Sequence, residues 1–277
     1  MLQASRFGQP LELGETVTVI GGGNVAFDAA RTAIRLGKRV NMVCLEKDAS
    51  QAGRDEYEEG LAEGIHLYDC HSNEEILGSA DGVTGLRVHR ISGFYFDPDT
   101  HALVEEPVPD SSYILPTDSI VFAAGQETGL TERFGLQLNR FGYPVDPATG
   151  KSGYHTSVEG IFAAGDAITG TRFLIDAIAG GREAACLIDQ YLGGSGDIEE
   201  TLVERRHDPK LGKVPGFAAE PRQEMALRLA ETRRQSFAPV SDGLSEEQAT
   251  YEAGRCLQCD LRCDLHPVKM WMEYTGK

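Results

Sequence analysis

The sequence predicts an α/β fold: a parallel sheet carrying an antiparallel excursion, followed by a partial second unit and a mostly helical C-terminal tail. Three observations carry this prediction. Residues 16–20 (TVTVI) are a β-branched run with the composition of a buried parallel strand. Three consecutive glycines follow at 21–23, and residues 24–36 then place Val25, Ala29, Ala33 and Leu36 at helical spacing. A second apolar strand opens at Arg39, which completes a strand–turn–helix–strand unit.

Within that unit Gly21, Gly23 and Ala26 fill the G-x-G-x-x-A pattern of Rossmann-like dinucleotide-binding folds. Gly21 allows the tight turn, Gly23 lets the backbone approach a pyrophosphate, and Ala26 lets the helix lie on the strand. The diphosphate belongs at the helix N-terminus, where free N–H groups and the helix dipole favour an anion. Asn24 and Val25 stand at that N-terminus. The second strand, residues 39–46, ends at Glu46, twenty positions beyond Ala26, where an acidic side chain takes ribose hydroxyls. The bland alternative is a βαβ unit whose glycines serve only the turn.

Taken in order, residues 1–14 lack a core pattern and read as a connector. Residues 55–63 (DEYEEGLAE) read as a polar, acidic helix and residues 65–68 as a third strand. Residues 83–92 alternate and predict an antiparallel strand, while residues 94–115, with three prolines, predict an irregular hairpin excursion. Residues 118–123 return to a buried parallel strand ending in Ala123-Ala124-Gly125-Gln126, with Ala124 and Gly125 at its nucleotide end. A first domain therefore spans residues 14–126.

Residues 127–192 form a second unit. Residues 160–166 (GIFAAGD) predict an apolar strand, a small-residue turn and a carboxylate, Asp166, at its tip. Residues 171–191 predict a helix with Ile175, Ile178, Ala179, Ala185 and Ile188 available for packing. The small residues from Ala163 to Gly181 either admit a ligand close to the backbone or only let this helix pack tightly. Residues 193–277 form a polar tail, in which residues 221–235 read as a charged helix and Ser245 as the N-cap of another.

The formal charge of −17 argues against nucleic acid or an anionic membrane as partner and suits a soluble cytoplasmic protein. No apolar run approaches membrane-spanning length. Cys44, Cys70 and Cys186 lie in apolar surroundings and read as packed, reduced thiols. His66, His71, His89 and His101 read as ordinary surface or packing histidines. Cys256, Cys259 and Cys263 are spaced as metal ligands, with His266 as a candidate fourth.

The segments GGGNVAFDAARTAIRLG, VCLE, EEGLAEGI, VFAAGQ, TSVEGIFAAGDAITGTRFLIDAIAGGREAA and SEEQATYEAGRCLQC occur in one order. That order resembles the glutamate synthase small-subunit-like flavoproteins, members of the two-dinucleotide-domain superfamily. The likeness covers residues 10–192 closely and residues 244–263 by the cysteine helix. It implies an NAD(P)H-dependent oxidoreductase that passes electrons through FAD to an iron–sulfur centre or a partner subunit. In such proteins a nicotinamide domain is inserted within an FAD domain. The resemblance assigns Gly21, Gly23, Asn24 and Ala26 to the nicotinamide phosphate turn and Glu46 to its ribose. It assigns Gly165 and Asp166 to the flavin's ribityl–phosphate region, and Arg172, Phe173 and Leu174 to the backbone facing the flavin ring. No catalytic acid, base or nucleophile is assigned.

Two departures from that pattern matter. The family's FAD domain opens with its own strand–glycine–helix unit, and residues 1–14 resemble the linker that follows it. The sequence therefore reads as a C-terminal fragment, expected not to hold FAD alone and to expose an apolar edge at residues 161–164. A second copy or a partner chain is expected to cover that edge. Relatives also place two arginines after the second strand for the NADP 2′-phosphate, whereas this chain has Glu46 and Lys47. Glu46 favours NAD over NADP, with Lys47 and Arg54 close enough to oppose it. The cysteine cluster is compatible with a [4Fe-4S] centre, with zinc, or with unliganded thiols. The competing functional class is a nucleotide-binding or docking fragment with no turnover of its own.

Overall fold

A computed structural model describes residues 1–97, 102–126, 128–129, 134–198, 216 and 219–255. Four strands, β1 (Thr16–Ile20), β2 (Arg39–Val43), β3 (His66–Tyr68) and β8 (Ser119–Phe122), pair in parallel in the order β3-β2-β1-β8. Thr16 faces Arg39 and Val17 faces Ser119, so β1 is flanked on both sides, as its β-branched composition suits. Its one buried polar side chain, Thr18, donates to Thr117 Oγ1 at 2.9 Å.

Helix α2 (Asn24–Arg35) covers one face of this sheet. Its buried apolar residues are Ala26, Phe27, Ala29, Ala30, Ala33 and Ile34, packed on Val17, Val19, Val40 and Met42. The expected stripe was half right: Ala29 and Ala33 are buried, while Val25 and Leu36 are exposed. The alanines let the helix approach the sheet closely, and Phe27 fills the space toward helix α3 (Arg54–Glu63). A Cβ on Gly60 would stand 2.6 Å from the Phe27 ring, so α3 crosses α2 where it carries no side chain. The first residues are not a bare connector. Leu2–Arg6 forms helix α1, and Met1, Leu2 and Leu13 pack against the same core.

The excursion is more regular than its prolines suggest. Strands β4 (His71–Ser79), β5 (Gly82–Phe96), β6 (Leu103–Pro107) and β7 (Tyr113–Pro116) form an antiparallel sheet centred on β5. Leu86, Val88 and Leu115 of that sheet pack with Ile20 and Val43 and so cover the second face of the parallel sheet. Strand β4, with polar Asn73, Glu74 and Glu75, carries too little apolar alternation to be read from sequence; it forms by pairing with β5.

Beyond β8 the expectations fare less well. Strands β9 (Val145–Asp146) and β10 (Lys151–Ser152) form a two-stranded hairpin. Residues 160–166 form no ladder: Phe162 makes a single bridge to His155. The predicted long helix starts later, as α5 (Leu174–Tyr191), after a short α4 (Asp166–Thr169). Of its expected packing residues, Ile175, Ile178 and Ile188 are exposed, Ile175 at 68%. Only Gly180 and Ala184 of α5 are buried. In the tail, residues 221–235 contain only the short α6 (Ala230–Arg233) rather than a charged helix throughout. Ser245 does cap α7 (Glu246–Gly254): its hydroxyl accepts from Gln248 N at 3.2 Å, and Gln248 Oε1 accepts from Ser245 N.

Candidate functional site

The strand–glycine–helix junction is built as the sequence predicts. Gly21 has φ +133°, and a Cβ there would collide with the carbonyl of Ala123 at the end of β8. Its N–H donates to Val43 O at 2.9 Å, which locks the turn onto β2. Gly23 caps α2, and Ala26 N and Phe27 N both donate back to its carbonyl. The amides of Gly23, Asn24 and Val25 are therefore the ones the helix cannot satisfy itself. A Cβ on Gly23 would meet no atom within 4 Å. That open approach, at the positive end of a twelve-residue helix, would admit a dinucleotide diphosphate.

Asn24 does something the motif does not foretell. Its Oδ1 accepts from Gly53 N at 2.7 Å and ties the start of α3 to the start of α2. Gly22, the middle glycine, is also required: a Cβ there would lie 2.8 Å from Cys44 Cβ and 3.2 Å from Glu46 Oε2. Glu46 thus reaches the glycine turn from the end of β2, at the carboxyl edge of the sheet where open α/β folds bind ligands. Lys47 is exposed in the 3₁₀ turn Lys47–Ala49 that follows. Ala124 and Gly125, the latter at φ +113°, are exposed at the same sheet edge.

Cys44 is 3% exposed, and its Sγ donates to Glu46 O at 3.3 Å. Burial, with the nearby charges of Glu46 and Asp69, pushes its thiol up to about 12. It is a protonated, packed thiol, as its apolar surroundings suggest. Cys70 and Cys186 are partly buried and free. His71 is fixed between Asp69 O at 2.6 Å and the Tyr113 hydroxyl at 2.9 Å, a structural arrangement. His89 lies on β5 between Glu74 and Glu105, 3.0 and 3.2 Å from its ring nitrogens.

Of the second group of predicted residues, Phe173 lies near Asn24 of the first, and Asp166 lies near Gln126. Asp166 opens α4, and its Oδ1 accepts from Arg172 N at 3.4 Å. Asp166, Ala167 and Gly170 face Gln126, Thr128 and Gly129 across a cleft of about 290 Å³. Gly165 has φ +61°, which favours glycine; a Cβ on Gly165 would lie 3.5 Å from Ala177 Cβ, and one on Gly180 3.5 Å from Gly165 N. These are ordinary contact distances, so close packing does not by itself demand glycine at either position, and Gly181 faces open space. Arg172, Phe173 and Leu174 are exposed. Phe173 also borders a second cleft, about 400 Å³, with Asn24, Gln51, Gly53 and Arg54. The sequence placed Phe173 with the flavin residues only; nothing in its motif signals this neighbour.

Cys256, Cys259, Cys263 and His266 lie outside the described residues, as does His101. Among the described residues no cluster of His, Cys, Asp or Glu is arranged to hold a metal ion, and no helix is long and apolar enough to cross a membrane.

Known proteins resemble this chain along much of its length. It is 34% identical over 89% of its length to the NADP(+)-dependent formate dehydrogenase subunit beta of Moorella thermoacetica, covering 36% of that protein. It is 26% identical over 93% of its length to the NADPH-Fe(3+) oxidoreductase subunit beta of Geobacter sulfurreducens, covering 43%. It is 31% identical over 65% of its length to the NADPH glutamate synthase small chain of Halomonas elongata, covering 39%. The chain thus spans less than half of each of these relatives. Among solved structures, the thioredoxin reductase of T. acidophilum matches 65% of this chain and 53% of its own, at 24% identity and TM-score 0.47. The resemblance to glutamate synthase small-subunit-like flavoproteins is borne out by these relatives and by the profile of the pyridine nucleotide-disulphide oxidoreductases, which matches residues 3–181. The chain belongs to the pyridine nucleotide-disulphide oxidoreductase family.

Proposed function

We propose that this chain is the nicotinamide-dinucleotide-binding module of a flavin-dependent oxidoreductase. One observation supports it above the others: the N-terminus of α2 at Gly23, where a side chain would meet no protein atom, with the Glu46 carboxylate beside the same glycine turn. The diphosphate contacts the amides of Gly23, Asn24 and Val25, with Gly21 and Ala26 shaping the turn. Glu46 accepts the adenosine ribose hydroxyls, which favours NAD over NADP, and Lys47 flanks it. Ala124 and Gly125 border the nicotinamide end. Residues 14–126 form this domain, residues 127–192 part of a flavin domain, and residues 193–277 the tail.

When bound, FAD would supply the hydride-accepting and electron-passing chemistry between NAD(P)H and an iron–sulfur centre or a partner subunit. This chain contributes Gly165, Asp166, Arg172, Phe173 and Leu174 to the flavin, and Cys256, Cys259 and Cys263 as candidate [4Fe-4S] ligands. The exposed Phe173, Leu174, Ile175 and Ile178 support a covering surface from a second copy or a partner subunit, in a cytoplasmic assembly. The three named relatives that are subunits or chains of larger enzymes support the same reading. The test is NADH binding by fluorescence, with NADH-dependent dye reduction before and after added FAD. Binding with FAD-dependent turnover supports the oxidoreductase module, binding without turnover the inert fragment, and absence of binding removes the site altogether.

A further inference from the structure

We infer that Cys44 is a positioning residue for Glu46, holding its carboxylate at the glycine turn and so setting the preference for a free ribose over a 2′-phosphate. The inference rests on the reading of Glu46 as the ribose acceptor. Three contacts carry it. The Cys44 thiol donates to the carbonyl of Glu46 at 3.3 Å, across the two-residue step at the end of β2. Its Cβ lies so close to Gly22 that only glycine fits there, and Glu46 Oε2 lies against the same glycine. Its backbone extends the β2–β3 ladder, N–H to Tyr68 O at 3.1 Å and carbonyl from His71 N at 3.0 Å. Cys44 therefore joins three things: the phosphate turn through Gly22, the sheet through Tyr68 and His71, and the acidic residue through its thiol.

A thiol suits this place physically. Sulfur packs like a small apolar group in a site 3% exposed, yet still offers one weak donor. Because burial and the Glu46 and Asp69 charges keep it protonated, it donates a hydrogen bond at neutral pH instead of reacting as a thiolate. Glu46 is only half-buried, and the 3₁₀ segment after it is anchored one step further on, by Asp48 N on Asp69 Oδ2 at 2.9 Å and by buried Ala49, so the bond from Cys44 is the nearest hold on Glu46 itself. Without the bond from Cys44, the Glu46 peptide loses its nearest restraint and can shift relative to Gly22, and the carboxylate's selectivity falls while the phosphate turn stays intact.

The test compares Cys44→Ala, Cys44→Val and Cys44→Ser in the full chain. Each is measured for NADH and NADPH dissociation constants by nucleotide fluorescence and for thermal melting. In Cys44→Ala and Cys44→Val, NADH affinity should fall three- to tenfold with NADPH affinity nearly unchanged, so their ratio moves toward unity. Cys44→Ser, which restores a donor, should keep the ratio of the parent. Cys44→Val fills the site, so it answers the question even if Cys44→Ala does not fold. A purely structural cysteine would lower melting and scale both affinities together, and that result overturns the inference. Glu46→Gln separates the two levels: if it leaves the NADH-to-NADPH ratio untouched, the ribose reading itself fails; if it abolishes the preference while the Cys44 variants do not, only the positioning role fails.

Discussion

The guanidinium of Arg233 lies 3.1 Å from Glu63 Oε1, joining residues 170 positions apart. Glu63 has no exposed side-chain surface and is also held by Arg31 at 2.7 Å and Arg35 at 2.8 Å. Three arginines from α2 and α6 thus converge on one carboxylate of α3, and Arg233 adds a second bond to Glu59. The network ties the tail to the outer face of the nucleotide-binding domain. A buried charge of this kind is held by its partners, so losing one leaves the others unpaired.

Burial alone would raise Glu63, but hydrogen bonds from Arg31 and Arg35 overcome it and hold the carboxyl below the ordinary value near 4.5. A lowered carboxylate stabilises the fold above its unfolded value and stops doing so as pH falls through its folded value. Melting temperature should therefore drop on acidification below that ordinary value, and Glu63→Gln should flatten the drop while costing about 3–5 kcal/mol at neutral pH. Thermal melts of both proteins across the acid range check this.

Arg233→Ala should release the tail from the domain without disturbing the dinucleotide site, because among the described residues the Arg233 side chain hydrogen-bonds only to Glu59 and Glu63. Limited proteolysis should cut residues 219–245 faster, with NADH affinity unchanged. Loss of NADH affinity would show that the network also supports the site.

Gly21 and Gly23 should respond differently to alanine. Gly21→Ala forces a side chain into positive φ and against the Ala123 carbonyl, and should destabilise the chain by about 1–3 kcal/mol. Gly23→Ala meets no protein atom, so its melting temperature should hardly move. Its added methyl occupies the space of the diphosphate and should weaken NADH at least tenfold. Melting and nucleotide titration of the two variants together distinguish a ligand cradle from a purely structural turn.

Glu46→Ala should weaken NADH and improve NADPH relative to it, by about tenfold in ratio, since a charged hydrogen bond is worth roughly 1.5–3 kcal/mol and a repulsion is removed with it. Parent protein that binds NADPH more tightly than NADH would place the ribose recognition elsewhere.

The exposed face of α5 predicts association. Leu174 is 78% exposed and Ile175 68%, an apolar patch uncommon on an isolated chain. Gel filtration with light scattering should find a dimer or larger species, or a purified partner complex, and Leu174→Lys with Ile175→Glu should shift it to monomer. A monodisperse monomer retaining stoichiometric flavin would remove both the covering partner and the incomplete flavin site.

The parts legible in the sequence are those whose determinants are local. The β-branched run of β1, the glycines, the alanines of α2 and the capping box at Ser245 each specify their conformation within a few residues, so sequence reasoning located them. It missed β4, whose polar strand exists only by pairing with β5, and it placed a strand at residues 160–166 where only one bridge forms. A strand needs neighbours that the sequence does not display. The isoleucines of α5 were expected inside because helical spacing reports a face, not what covers it.

At the site the same division holds. By itself the sequence determined the glycine turn, from Gly21 to Ala26, and the acidic end of β2, because motif and spacing are local chemistry. Only the tertiary structure decided that Gly22 must be glycine, that Cys44 bridges the turn to Glu46, that Asn24 holds Gly53, and that Arg233 reaches Glu63. Each depends on atoms distant in sequence meeting within about 3 Å, where steric exclusion and hydrogen bonding act and residue spacing carries no information.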